Sequence, residues 1–274
     1  MLGSALYFLE TYPVLLGPLY HILSGLSMVG LSRQLVLSFL CVAGAAEFLL
    51  IGSPASAEWF ADVYGGAAHT PRSDVTLTVN IPASTPADHT FHNVKWDDSL
   101  VYGGRAGYWF ESIPWFGVGL DVFHFNADIP TQMVPLTVPG ASVTATLQEI
   151  DFSITGLAFD VVRLRLPLLV SEENPRGRLQ PYLTLAPALF FTRAQNASNS
   201  ELITNKKATD TALGFKGGAG ASWQIHKYVA VFGEYRFTHF RAEPVFTSAI
   251  SGIPIPLGSD INTHQLLGGI SFRY

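Results

Sequence analysis

Eight charged residues share one parity within otherwise apolar, period-two stretches: Asp62, Arg105, Glu111, Asp121, Lys216, Glu234, Arg236 and Arg273. Residues two apart on a strand share a face, so if these stretches enclose one space, all eight side chains project into it. Charges in such a space are tolerable only when paired or wetted. Two chemistries follow: a set of ion pairs that fills a narrow interior, or a charged path that carries ions through it. Counted from the strand ends, Asp62, Arg105, Asp121, Lys216, Glu234 and Arg236 stand at similar mid-height, with Glu111 and Arg273 lower. Asp62 and Arg105 lie on neighbouring strands, and Glu234 is within reach of both Lys216 and Arg236. Eight strands enclose room for side chains and little else, which favours the filled interior.

Other candidates carry less. His239 has the chemistry of a general base, but no serine follows it closely, since Phe240-Arg241-Ala242 comes next. His89, His92, Asp97 and Asp98 crowd one polar segment, yet their spacing matches no metal-ligand template, and a solvated loop is expected there. Asn196-Ala197-Ser198 fits a glycosylation acceptor on paper and is given no weight. No catalytic, cofactor or metal residue is assigned, and the chain is not read as an enzyme. The formal net charge of −5 and scattered basic residues give no footprint for nucleic acid.

What must position the eight charges is a set of strands. Only 14% of the residues are charged and 48% are hydrophobic, which suggests a membrane, yet past Ile51 no unbroken apolar run is long enough for a spanning helix. Eight period-two segments lie near 58–68, 100–112, 116–127, 147–166, 179–193, 210–224, 228–241 and 263–274. Each is about ten residues or longer, enough for a tilted strand to cross a bilayer. Short turns at Ile113-Pro114-Trp115, Ser171–Arg178 and Ile225–Lys227 alternate with longer polar connections near 69–99, 128–146, 194–209 and 242–262. That alternation is how an up-and-down barrel treats its two sides.

The apolar parity faces outward: Ala106 and Tyr108 alternate with Arg105 and Gly107, and Val118, Leu120 and Val122 with Gly119 and Asp121. The fourth segment breaks parity between Ile154 and Leu157, so a bulge or kink is expected near Gly156. Trp59, Phe110, Trp115, Phe116, Trp223, Tyr228, Phe272 and Tyr274 gather at the short-turn end, where amphipathic rings suit a membrane interface.

Residues 28–57 read as a secretory signal, with Arg33, an apolar stretch from Leu35 to Ala46, and the pattern Ala55-Ser56-Ala57 before Glu58. Cleavage after Ala57 would remove Cys41, the one cysteine, and leave a mature chain of net charge −4. Residues 1–27 fit no part of that signal and are read as a mis-assigned extension, with Met28 the expected start.

The last strand, His264-Gln265-Leu266-Leu267-Gly268-Gly269-Ile270-Ser271-Phe272-Arg273-Tyr274, resembles the C-terminal signal of the outer-membrane β-barrel domain family, the small OmpA- and OmpX-like barrels. Gly104–Glu111 and Gly233-Glu234-Tyr235-Arg236-Phe237 are also familiar in that family. The resemblance implies an all-β fold, an eight-stranded antiparallel up-and-down transmembrane barrel over residues 58–274, in the outer membrane of a Gram-negative cell. It also implies that Gly269, Phe272 and Tyr274 belong to the signal read by the barrel-assembly machinery. Outer-membrane lipid and an unidentified surface ligand are the remaining expected partners, for a monomer. Some barrels of this kind deacylate lipid A with a histidine and a nearby serine, a pattern that His239 does not complete. The function expected is therefore a structural or interaction barrel displaying four long loops, ahead of a narrow channel and of a lipid hydrolase.

Overall fold

The computed structural model describes residues 58–79, 87–172, 174–196, 207–247 and 252–274. The expected signal segment, cleavage site and N-terminal extension lie outside the described residues. Five strands make up the first half: β1 (Glu58–His69), β2 (Ser73–Val79), β3 (Ala87–Val94), β4 (Ser99–Trp109) and β5 (Phe116–Asn126). β6 (Gln132–Val138), β7 (Ala141–Leu147), β8 (Ile150–Arg165) and β9 (Leu179–Asn196) follow. The chain ends with β10 (Lys207–His226), β11 (Val229–Ala242), β12 (Val245–Thr247) and β13 (Pro254–Arg273).

Eight of these form a closed antiparallel ring in the order β1-β4-β5-β8-β9-β10-β11-β13, and β13 pairs back onto β1. They correspond to the eight segments expected from periodicity. Partners can be followed once around the ring from Glu58 through Trp109, Gly117, Arg163, Thr184, Gly218, Arg236 and Gln265. The path returns to β1 at Ala68, ten residues further along. With ordinary strand dimensions, that stagger over eight strands tilts them by about 40°. All barrel strands are thereby hydrogen-bonded on both sides, as a membrane interior demands.

The outward face is apolar: Leu100 is 77% exposed, Leu213 74% and Leu266 67%. From Trp59 to His69, β1 presents this face over about 25 Å of height, the width of a bilayer's apolar band. At the short-turn end Trp59, Tyr108, Phe110, Phe116 and Trp115 make a chain of ring contacts at 5.1–6.2 Å. Tyr228 and Tyr274 stack there too, at 6.3 Å.

The fourth segment corrects one expectation. Ile150, Phe152, Ile154, Ala158 and Asp160 of β8 are all buried and inward, so no kink occurs at Gly156. Apolar residues change sides there because the two halves of β8 meet different media. Its outer half faces an apolar filling inside the barrel, while Leu157 and Phe159 in its inner half face outward. The register shift lies between Ala158 and Val162, where β8 holds one residue more than β5 or β9 opposite it.

The long connections are not irregular loops throughout. β2–β3 and β6–β7 are hairpins, β2 pairs with the outer end of β13, and β3 meets β6. Val75, Val94, Trp96 and Val134 from these segments are buried with Phe152, Leu257 and Ile261, so the outer sheet covers the barrel mouth. Glycine at the β1–β13 seam permits closure. A Cβ on Gly66 would land on the Leu266 carbonyl oxygen at the β1–β13 seam. Gly66→Ala is therefore expected to destabilise the barrel by about 1–3 kcal/mol through forced strand displacement, seen as a lower urea midpoint for the fast-migrating unboiled form on detergent gels.

Candidate functional site

The charged interior at mid-height is built from six strands, β1, β4, β5, β8, β10 and β11. Asp62 and Arg105 are directly opposed on β1 and β4, and Arg105 and Asp121 on β4 and β5. Glu234 and Arg236 follow one another on the inward face of β11, and Lys216 projects from β10. β8 supplies Asp160 and Arg163, three residues apart. Regular alternation would send one of them outward, but the extra residue in β8 turns both inward.

These eight side chains form a closed, alternating circuit. Asp62 Oδ2 accepts from Arg105 Nε at 2.6 Å, and Arg105 Nη1 donates to Glu234 Oε2 at 2.5 Å. Arg236 bridges Glu234 and Asp121, both at 3.0 Å. Lys216 Nζ lies 2.6 Å from both Asp121 and Asp160. Arg163 closes the loop, 3.5 Å from Asp160 and 3.6 Å from Asp62. Each acid meets two bases and each base two acids, so the circuit is neutral. Two tyrosines brace it: Tyr64 donates to Asp121 and accepts from Arg236 at 3.0 Å, while Tyr182 donates to Glu234 at 2.8 Å and accepts from Arg105 at 3.3 Å. Every acid and base in it has a side chain no more than 5% exposed.

A second tier lies toward the short-turn end. Glu58 is 2.6 Å from Arg165 and 3.6 Å from Arg273, and Arg273 donates to Gln180 at 2.6 Å and to Ser222 at 2.7 Å. A cavity of about 10 Å³ touches Asp62, Arg163 and Arg273 between the tiers, room for about one water molecule. On the other side of the circuit the lumen is filled mainly by apolar side chains, with Thr192, Thr238 and Thr263 buried among them. Phe123 meets Phe190 edge-on at 6.0 Å, and Phe190 stacks on Phe240 at 4.1 Å.

Of the eight charges singled out from sequence, the structure joins Asp62, Arg105, Asp121, Lys216, Glu234 and Arg236, and places Arg273 in the lower tier. Glu111 is exposed in the turn after β4, which ends at Trp109, so strand alternation no longer governs where it points. Lys216 turns to Asp121 and Asp160 instead of making its ion pair with Glu234. Parity reasoning misses Asp160, Arg163, Arg165, Glu58 and the two tyrosines. The signal available for Asp160 and Arg163 is a pair of opposite charges three apart in an apolar strand, which only a bulge can place on one face.

The remaining candidates are dispersed. His239 faces outward, its Nδ1 2.7 Å from Asn262 Oδ1 and its ring 5.4 Å from Phe215. His92 is bound to Asp74 and Thr137, His89 to the Ala87 carbonyl, Asp98 to His69 and Asp97 to Lys95. Among the described residues, no three histidine, cysteine or carboxylate groups converge on a metal position.

The β2–β3 hairpin carries a pH-dependent clamp. The Asn93 N–H, donating to Asp74 at 2.9 Å, and then His92 hold the Asp74 carboxyl below its usual value of 3.8 despite slight burial. Because the folded pKa is depressed, this contribution is complete above the ordinary carboxylate range and is lost as pH falls through the lower folded value. Amide exchange in β2 and β3, measured against β9, is expected to accelerate under acid in the unmodified protein and to lose that pH dependence in Asp74→Ala.

Known proteins share this architecture. The chain is similar to the outer membrane protein OprG of Pseudomonas aeruginosa, with a TM-score of 0.52 and 14% identity over 80% of this chain and 96% of that one. Weaker likenesses are Neisserial surface protein A, at TM-score 0.41 and 9% identity over 80% and 100% of the two chains, and the outer membrane protease OmpT of Escherichia coli, at 0.42 and 8% over 81% and 99%. No curated protein sequence matches. A model of the outer membrane protein β-barrel domain matches residues 43–273, and with the closed eight-stranded ring this establishes that the chain belongs to that family and resides in the outer membrane.

Proposed function

We propose that this protein is a sealed, non-enzymatic barrel that works through the surface it displays outside the cell and not through its lumen. The observation that carries this reading is the neutral ion circuit under a stack of phenylalanine rings. Ions crossing the lumen would have to displace partners that are already paired, and apolar solutes would have to cross the charges. Beyond the mouth, β2–β3 and β6–β7 build a sheet whose outward residues include Met133 and Val143, 73% and 49% exposed. Interaction chemistry is concentrated there, on segments held by the barrel and free to vary in sequence.

The test replaces the two hairpins by short turns and compares refolded proteins, each shown to migrate faster unboiled. Binding to immobilised extracellular-matrix proteins and to lipid A vesicles is measured alongside entry of serine-sized solutes into proteoliposomes. The intact protein is expected to be retained on at least one surface and the trimmed one on none, with no solute entry for the intact protein. An intact protein that binds nothing and admits solute overturns the proposal.

A further inference from the structure

Half of the eight histidines form a belt on the outside of the barrel. His69 on β1 is directly opposite His264 on β13, and His239 on β11 pairs with Asn262, two residues before His264. His124 on β5 pairs with Tyr102 on β4. Allowing for strand tilt, all four lie within about 4 Å of one height, at the outer edge of the apolar band. Each ring is anchored in the same way, through Nδ1: His69 to Asp98 at 2.6 Å, His124 to Thr155 at 3.1 Å, His239 to Asn262 at 2.7 Å, His264 to the Tyr235 hydroxyl at 2.6 Å. With Nδ1 occupied, Nε2 of His69, His239 and His264 is the nitrogen left for another partner.

A cleft of about 650 Å³ opens above β1 and β4, with His69 at its foot and Arg72, Lys95, Asp97 and Asp98 in its walls. While His69 is neutral, the two cations balance the two carboxylates. Lys95 is 3.4 Å from Asp97, and Arg72 donates to the Asn93 carbonyl. Protonating His69 makes the cleft cationic, and protonating His239 and His264 extends that charge along β11 and β13. The groups facing His239 and His264 are Asn262, Phe215, Tyr235, Phe237 and, across the β1–β13 seam, His69, none of them a carboxylate. A belt at this height meets the headgroups of the outer leaflet, and its ring nitrogens and cations suit phosphate.

We propose that the histidine belt and the cleft above it bind the phosphate-bearing headgroup of an outer-leaflet lipid when the histidines are protonated. Headgroup capture is thereby coupled to the acidity of the surroundings, through residues that do not touch the lumen.

The test reconstitutes the full chain in phosphatidylcholine nanodiscs doped with diphosphoryl lipid A and counts retained lipid A by native mass spectrometry at about pH 5.5 and about pH 7.5, on either side of histidine's charge change. Retention is expected to be roughly fivefold higher at the lower pH, the effect of about one added unit charge at an anionic surface. A variant combining H69Q, H124Q, H239Q and H264Q should retain equally at both. Excess inorganic phosphate should leave retention by the unmodified protein unchanged, since acyl chains fix the headgroup in place. Equal retention at the two pH values by the unmodified protein overturns the proposal whether or not the variant folds. A pH ratio that persists in the folded variant also overturns it, and so does displacement by inorganic phosphate, which would mark a site for the free anion.

Discussion

Arg105→Ala is expected to destabilise the folded barrel by about 3–5 kcal/mol, because removing one member of a buried, neutral ion network leaves an uncompensated negative charge inside it. Arg105 donates to Asp62 at 2.6 Å and also holds Glu234 and Tyr182, with its guanidinium 4.8 Å from the Phe232 ring centre. Alanine would leave Asp62 with Arg163 alone, at 3.6 Å, and Glu234 with Arg236 and the Tyr182 hydroxyl. Arg105→Lys should fall between the two, since a single ammonium cannot reproduce the fork that reaches both acids. Urea titration of refolding in detergent, followed by gel mobility and tryptophan fluorescence, measures the difference. A loss below about 1 kcal/mol would mean that water enters the circuit freely.

Deleting Val161 is expected to prevent assembly altogether. The residue is the surplus in β8 that lets Asp160 and Arg163 both face inward, and without it Arg163 and Arg165 would turn to the lipid side. An arginine on that side costs about 2–4 kcal/mol near mid-membrane and about 0–1 kcal/mol near the interface. The same change removes a partner from Asp62, Asp160 and Glu58, all buried. Val161→Ala keeps the residue count and the bulge, so it should fold nearly as well as the unmodified protein. If the deletion variant still gives the fast-migrating form with unchanged stability, the bulge does not position the circuit.

The barrel is legible in the sequence because its two faces meet opposite media and a strand has an exact period of two. An error of register cannot hide in a pattern such as Val118, Leu120 and Val122 against Gly119 and Asp121. Six of the eight charges found by parity join in one circuit for the same reason.

What is not legible depends on irregularity. Asp160 and Arg163 need a bulge whose position depends on how β8 packs between β5 and β9, and parity alone places the break at Gly156. Glu111 leaves the set because β4 stops at Trp109, where the chain turns at Ile113-Pro114-Trp115 and alternation ends. Tyr64 and Tyr182 carry no charge, so a search for charges passes over them, although each joins two members of the circuit. The outer hairpins are passed over because β2, β3, β6 and β7 are only seven or eight residues long, shorter than the roughly ten residues a bilayer-crossing strand needs.

The central claim is that the lumen is closed, and single-channel recording in planar bilayers tests it most directly. The unmodified, heat-modifiable protein is expected to show no steady conductance at moderate voltage, because a permeating ion would have to break the paired circuit and pass the Phe123, Phe190 and Phe240 rings. A stable, ohmic conductance from the unmodified barrel, with an ion selectivity that shifts when Arg105 or Glu234 is neutralised, would contradict the account and make the circuit the lining of a channel.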